Sequence, residues 1–273
     1  MIIIFLTFFI PICACFFTIY YQFVNYNNVI WWTIPLSMLA GVVACAIILF
    51  LFIILSLLLV NEKHKKFYYG CIHQACSFVV FLLRIKVISK NLDKLSKAGN
   101  FFLVSNHLSN LDPIIHIYAL KNHDIAYIMK KEIMSVPIVG VWLKRTGFLV
   151  LDRKDNRQAT QIMLEAIKRC KNKENIGVFP EGTRSRSGEL LPLKSGVFKI
   201  PQKAEVPILV THLFGTNLVK KKYPFKRTTV NFEIIDLISN EELKEKTTNE
   251  ISDKITDMLL EKNEYLKKQT SNN

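Results

Sequence analysis

The chain is expected to fold as an α/β domain, a mixed sheet flanked by helices, preceded by an N-terminal transmembrane helical hairpin. Three observations carry that expectation. None of the first 61 residues is charged, although the 273-residue chain holds 36 Lys or Arg and 22 Asp or Glu. Beyond Glu62, short apolar runs alternate with stretches of helical spacing, the pattern of a sheet with helices on its faces. A capping box at Ser239 and Glu242 then opens a last amphipathic run.

About 20 helical residues cross roughly 30 Å of hydrocarbon. Residues 1–24 and 33–60 each supply that length, on either side of the polar Asn25–Asn28 stretch and the pair Trp31 and Trp32. Met1–Ile10 lacks the basic leader of a signal peptide and a second apolar run follows it, which argues against cleavage and export. Lys63, Lys65 and Lys66 come just after the second run, and basic flanks stay on the cytoplasmic side. An integral membrane protein is expected, with both termini and the remaining domain cytoplasmic. Cys71, Cys76 and Cys170 show no disulfide framework, as suits a reducing compartment. Cys71, His73 and Cys76 lack a fourth ligand for structural zinc, so no metal is expected.

Residues 62–90 read as an interfacial helical segment. Phe67–Ile88 is apolar, aromatic and too short to span, suited either to lying on a bilayer or to a core helix. Residues 91–238 read as the α/β domain. Strands are expected at Phe101–Ser105, Ile125–Met129, Phe148–Leu151, Ile176–Phe179, Ile208–Thr211 and Thr228–Ile235, with helices at Pro113–Leu120, Asn156–Cys170 and Gly196–Lys203. Residues 239–273 read as a C-terminal amphipathic helix and tail, with Leu243, Ile251, Ile255, Met258 and Leu259 near helical spacing. The net charge of +14 divides into none in the hairpin, +16 over residues 62–238 and −2 in the closing helix. The positive field therefore belongs to the middle domain.

Three expected strands end in polar clusters, and ligands of α/β sheets gather at the carboxyl ends of strands. The first cluster is Ser105-Asn106-His107-Leu108-Ser109-Asn110-Leu111-Asp112-Pro113. Pro113 suits the first turn of a helix and Asp112 its N-cap. On one ideal helix the five-residue step from His107 to Asp112 would set the two about 140° apart, so contact requires the loop to fold back. If it does, Asp112 can orient the imidazole and leave its other nitrogen to take a proton from a hydroxyl. A capping Asp112 and a polar loop histidine fit the same residues. The second cluster, Phe179-Pro180-Glu181-Gly182-Thr183-Arg184, places glycine and a guanidinium where an anion can be held. Glu181, among cations, is expected to stay ionised. The third cluster, Gly147 through Asp152 and Arg153, offers a second guanidinium for that anion or a surface pair.

Taken together, the clusters resemble the glycerolipid acyltransferase family that includes 1-acylglycerol-3-phosphate acyltransferases. Asn106, His107 and Asp112 match its Asn-His-x4-Asp block, and Gly147, Asp152 and Arg153 its Gly-x4-Asp-Arg block. Phe179–Arg184 matches Phe-Pro-Glu-Gly-Thr-Arg, and Val206, Pro207 and Ile208 match a Val-Pro-Ile block. Lys194 and Gly196 match a Lys-x-Gly step. The resemblance spans about residues 88–210. It implies that His107 and Asp112 are the catalytic dyad and that Glu181, Gly182, Thr183 and Arg184 bind glycerol phosphate. It also implies that Arg153 contacts phosphate and that Val206–Ile208 shapes the acyl side. The implied reaction moves an acyl group from acyl-CoA or acyl carrier protein to lysophosphatidic acid, giving phosphatidic acid for phospholipid synthesis, with no cofactor. The uncharged hairpin departs from the family's shorter amphipathic anchor.

A different lysophospholipid acceptor within the family is the close alternative. A membrane-tethered nucleic-acid binder is the distant one, prompted by Lys220–Lys222, Lys226 and Arg227 around Tyr223 and Phe225; no groove-reading motif accompanies them, and no nucleic-acid partner is expected. That basic run fits anionic lipid heads or plain solvent. A serine hydrolase using Ser105 or Ser185 lacks a nucleophile elbow around either residue.

Overall fold

The uncharged stretch forms two helices, α1 (Ile2–Tyr26) and α2 (Thr33–Leu58), with no acidic or basic residue at either end. This computed structural model describes the backbone of residues 2–26, 31–58, 65–97, 99–136, 139–152, 156–185 and 187–271. The two helices pack closely: a Cβ at Gly41 would lie 2.7 Å from Pro11 Cα, so only glycine admits this approach. Gln22 Nε2 donates to Thr33 Oγ1 at 2.7 Å, pairing two polar groups that apolar surroundings would leave costly. Around them Phe16, Phe17, Tyr20, Trp31 and Trp32 stand exposed. The expected hairpin is therefore present as helices. Among the described residues, however, no helix is long and apolar enough to cross a membrane; side chains are described without a break over residues 9–25 of α1 and 33–48 of α2. Lys63 lies outside the described residues.

The chain divides into two compact units, Met1–Phe78 and Val79–Asn273. Between the hairpin and the sheet, residues 62–90 depart from a wholly helical reading. Helix α3 (Lys65–Leu82) ends at a turn where Arg84 takes φ +53°, and strand β1 (Ile85–Lys90) follows.

The second unit carries a seven-stranded sheet in the order β1-β7-β6-β2-β5-β3-β4, built from β2 (Phe102–Ser105), β3 (Ile125–Lys130), β4 (Leu149–Leu151), β5 (Asn175–Val178), β6 (Ile208–Phe214) and β7 (Thr228–Ile238) besides β1. Strands β6, β2, β5, β3 and β4 run parallel; β7 is antiparallel to β6 and parallel to β1, so the sheet is mixed as expected. The central strands are apolar and buried along their length, as strands covered on both faces must be. Helices α4 (Asp112–Ala119), α5 (Val139–Arg145), α6 (Asn156–Lys171) and α7 (Lys199–Ala204) connect them. Instead of one closing helix there are two, α9 (Asn240–Lys244) and α10 (Thr248–Ser271). Ser239 caps α9 by accepting from Glu242 N, and Leu243, Ile251, Ile255 and Leu259 are buried from it. A short helix α8 (Val219–Lys222) lies between β6 and β7.

This topology puts the carboxyl ends of β2, β3, β4, β5 and β6 at one end of the sheet. The start of β7 lies at that end too. The residues that follow β2 and β5, and Asp152 after β4, therefore leave the sheet on the same side.

Candidate active site

His107 leaves β2 on a loop that Asn106 holds open. The Asn106 amide donates to Leu213 O at 2.9 Å and accepts from Leu213 N at 2.8 Å, continuing the β2–β6 pairing where the backbone has turned away. The loop then folds back, and His107 Nδ1 meets Asp112 Oδ2 at 2.8 Å. Asp112 is wholly buried, and its carboxylate is satisfied from four sides. Leu108 N and Ser109 N donate to Oδ2 at 2.6 and 2.7 Å, beside His107, and Thr216 Oγ1 donates to Oδ1 at 2.6 Å. Asp112 is thus the first residue of α4 and not its cap, since its carboxylate reaches back to the loop and not forward into the helix. A carboxylate that already accepts two backbone N–H groups leaves Nδ1 as the protonated imidazole nitrogen and Nε2 with its lone pair. None of the described hydrogen bonds uses Nε2.

The imidazole plane is set by stacking. The His107 and Phe179 rings lie 4.2 Å apart at 18°, and Tyr127 and His116 stack on Phe179 in turn at 5.6 and 5.7 Å. Tyr127 fits because β5 carries Gly177 beneath it, where a Cβ would come within 2.5 Å of the ring. His116 is fully buried, and burial pushes it down to about 3, so it sits there as a neutral ring.

The second cluster turns sharply beside the first. Gly182 takes φ +71°, and Lys194 lies so close that a Cβ there would meet its Cε and Nζ at 3.0 Å. Ser185 N donates to His107 O at 2.8 Å, and Glu181 locks the two loops together. Glu181 Oε1 accepts from His107 N at 2.6 Å and Oε2 from Leu191 N at 3.0 Å. Each oxygen of Glu181 thus accepts from a backbone N–H of a different loop. Burial pushes its carboxyl up, while the Leu191 and His107 backbone donors pull the other way.

A cavity of about 330 Å³ opens where these parts meet, walled by His107, Asn110, Lys130, Thr183, Arg184 and Phe179. Thr183 and Arg184 are exposed on its rim and Gly182 also lines it. A second, more apolar cavity of about 290 Å³ shares Met129, Lys130, Phe179 and Gly182 with the first, and continues between Leu151, Ile162, Met163 and Ile200. The first cavity thus sets the imidazole among apolar, polar and charged groups, and the more apolar second cavity adjoins the first.

Arg153 lies outside the described residues. Val206, Pro207 and Ile208 sit at the opposite end of the sheet, where Pro207 O accepts from Phe102 N at the start of β2. They line neither cavity; the apolar wall comes instead from β3, β4, α6 and α7. Gly147 is a structural glycine, with φ +80° and a backbone carbonyl that accepts from the buried Arg169, itself paired with Glu174. Ser105 and Ser185 are buried and line neither cavity, which removes both as nucleophiles.

Residues that sequence reasoning left without a role also converge here. Lys130 ends β3 as Arg153 follows β4, so the strand-end argument applied to one reaches the other. Lys194 and Phe179 were visible as members of blocks but carried no assigned contact. Nothing in the sequence around Thr216 pairs it with a carboxylate 104 positions earlier.

Residues 86–211 match the family model described as Acyltransferase. The chain is 28% identical over 190 residues to a 1-acyl-sn-glycerol-3-phosphate acyltransferase of Borreliella burgdorferi, covering 69% of this chain and 76% of that protein. A protein of the same name from Saccharomyces cerevisiae is 31% identical over 184 residues, 66% of this chain and 59% of its own length. The crystal structure of a 1-acyl-sn-glycerophosphate acyltransferase from Thermotoga maritima has the same fold, with a TM-score of 0.65 at 24% identity over 79% of this chain and 87% of that one. Residues 86–211, which hold both the His107–Asp112 loop and the Phe179–Arg184 turn, are thus the part of the chain that is similar to the acyltransferase family.

Proposed function

We propose that the protein transfers a fatty acyl group from a thioester, acyl-CoA or acyl carrier protein, to the free hydroxyl of 1-acylglycerol 3-phosphate, giving phosphatidic acid. The observation that carries this reading is the imidazole held by Asp112 at the wall of a cavity that also presents Thr183 and Arg184. His107 Nε2 takes the hydroxyl proton, and the oxygen attacks the thioester carbonyl. Donors on the wall steady the tetrahedral oxyanion. The C–S bond then breaks, and the leaving thiolate receives the proton from His107. The reaction needs no cofactor and no acyl-enzyme.

Arg184 is assigned the acceptor's phosphate, which its guanidinium can grip through two parallel hydrogen bonds, with Lys130 and Lys194 adding charge. Gly182 and Thr183 bring the turn close to the glycerol, and Arg153 is proposed as a further phosphate contact. Glu181 acts behind them by fixing the turn to the His107 loop. The adjoining apolar cavity takes an acyl chain, a role moved here from Val206–Ile208.

Residues 1–61 are proposed to span the bilayer as two helices, with the catalytic domain and both termini cytoplasmic. Support comes from their lack of charge and from the exposed Phe16, Phe17 and Tyr20, which water would not favour. The test is thioester consumption by the membrane-embedded protein, offered lysophosphatidic acid against other lysolipids and run beside His107→Ala. Lysophosphatidic acid is expected to be the best acceptor, and loss of the base to cost about 10²–10⁴-fold. Full transfer by the variant would refute the mechanism, and a faster lysolipid would replace the acceptor.

A further inference from the structure

The segment from β6 to β7 bears directly on where an acceptor is met. Gly215 turns the chain at φ +92°, Thr216 reaches Asp112, and Val219 is buried at the base of α8. Every residue from Lys220 to Arg227 is then exposed. This stretch holds five cations, Lys220, Lys221, Lys222, Lys226 and Arg227, and no carboxylate. None of the described ion pairs engages them. Between them Phe225 is 87% exposed and Tyr223 41% exposed.

The segment is held in shape. Tyr223 N donates to Val219 O at 3.0 Å, Lys226 N to Lys222 O at 2.8 Å, and the Arg84 guanidinium to Pro224 O at 3.0 Å, bringing a sixth cation alongside. A solvated basic turn has no use for a phenyl ring at its tip. An apolar ring among unpaired cations is complementary to one surface in particular, the interface of an anionic bilayer, where phosphates meet the edge of the hydrocarbon. Topology strengthens the match, because the loop joins the carboxyl end of β6 to the start of β7. It therefore lies at the end of the sheet from which His107 and the Gly182–Arg184 turn emerge.

We propose that Lys220–Arg227 is a membrane-docking loop: Phe225 and Tyr223 enter the interface of a bilayer containing anionic phospholipid while the five cations contact head-group phosphates. Docking at this end presents the cavity of His107 to a lipid-held acceptor. That consequence rests on the acceptor proposed above, whereas the docking itself does not.

The test is backbone amide exchange of residues 219–227 in the full-length chain, in nanodiscs of phosphatidylcholine with and without phosphatidylglycerol. Exchange in this segment is expected to slow about tenfold or more with the anionic lipid, and the effect to shrink as salt screens the contacts. A Lys220→Gln, Lys221→Gln, Lys222→Gln, Phe225→Ser variant is expected to lose the protection while β2 and β6 amides exchange as before. Equal exchange in both discs overturns the proposal. So does protection by an added oligonucleotide in neutral discs that matches the effect of anionic lipid. Turnover separates the two readings: protection without transfer to lysophosphatidic acid sinks the acceptor and leaves the docking loop standing.

Discussion

Replacing Thr216 by valine keeps the size of a buried side chain and removes one hydroxyl. That hydroxyl is the one described donor to Asp112 Oδ1, at 2.6 Å, while Leu108 N, Ser109 N and His107 Nδ1 all serve Oδ2. Both residues are out of contact with water, Asp112 at 0% and Thr216 at 1% exposure, so no solvent replaces the lost bond. Hydrogen bonds to charged groups contribute about 1.5–3 kcal/mol, and an orphaned buried acceptor sits at the upper part of that range. The folded state is therefore expected to lose about 2 kcal/mol, read as a lower urea midpoint at unchanged m-value. Because Oδ2 keeps its three donors, the imidazole should hold its tautomer, and turnover should fall by only about tenfold, or about 1.4 kcal/mol. Thr216→Ser restores the donor and should recover both readouts. An unchanged midpoint and rate in Thr216→Val would refute the reasoning, as would a serine variant as damaged as the valine one.

Three further outcomes follow from the geometry. Burial pushes His116 down to about 3 and His212 to about 4 from the ordinary 6.5, so between pH 6.5 and about 4 the unfolded chain takes protons that the folded chain refuses. Stability should fall as pH falls through that window, by up to about 1.4 kcal/mol per pH unit for each ring. Glu181, pushed up by burial, offsets part of this near the bottom of the window, and denaturation midpoints at successive pH values will show the slope. Arg184→Ala should raise KM for a phosphate-bearing acceptor about 10–100-fold with a smaller change in kcat, measured by initial rates across acceptor concentration. Gly147→Ala places a side chain at φ +80° against the Arg169 guanidinium and should cost at least about 2 kcal/mol in chemical denaturation.

Much of the site was legible because its parts are local. Asn106, His107 and Asp112 lie within seven residues, and a strand running into a proline-started helix already placed them on a loop at a sheet edge. The roles were less legible. Glu181 reads as a polar group of an anion turn, yet its two oxygens also accept from His107 N and Leu191 N, and only folding brings His107 to it across 74 positions. Val206–Ile208 reads as part of the site by its place among the blocks, and strand direction puts it at the far end. Strand β1 was hidden because Ile85–Lys90 continues an apolar helical stretch, and its partner is β7, more than 140 residues later.

By itself the sequence determined the broad division of the molecule: an uncharged helical stretch, a basic α/β domain and an amphipathic close, with chemistry at strand ends. Those features depend on periodicity and composition, which act over a few turns of chain. Only the tertiary structure decided which side chains converge on His107. Thr216, Lys130 and Lys194 reach the site from three separate connections, and Phe179 sets the imidazole plane by lying against it. Such contacts arise from packing between strands far apart in sequence, so the energy that selects them belongs to the assembled sheet and not to any segment of it.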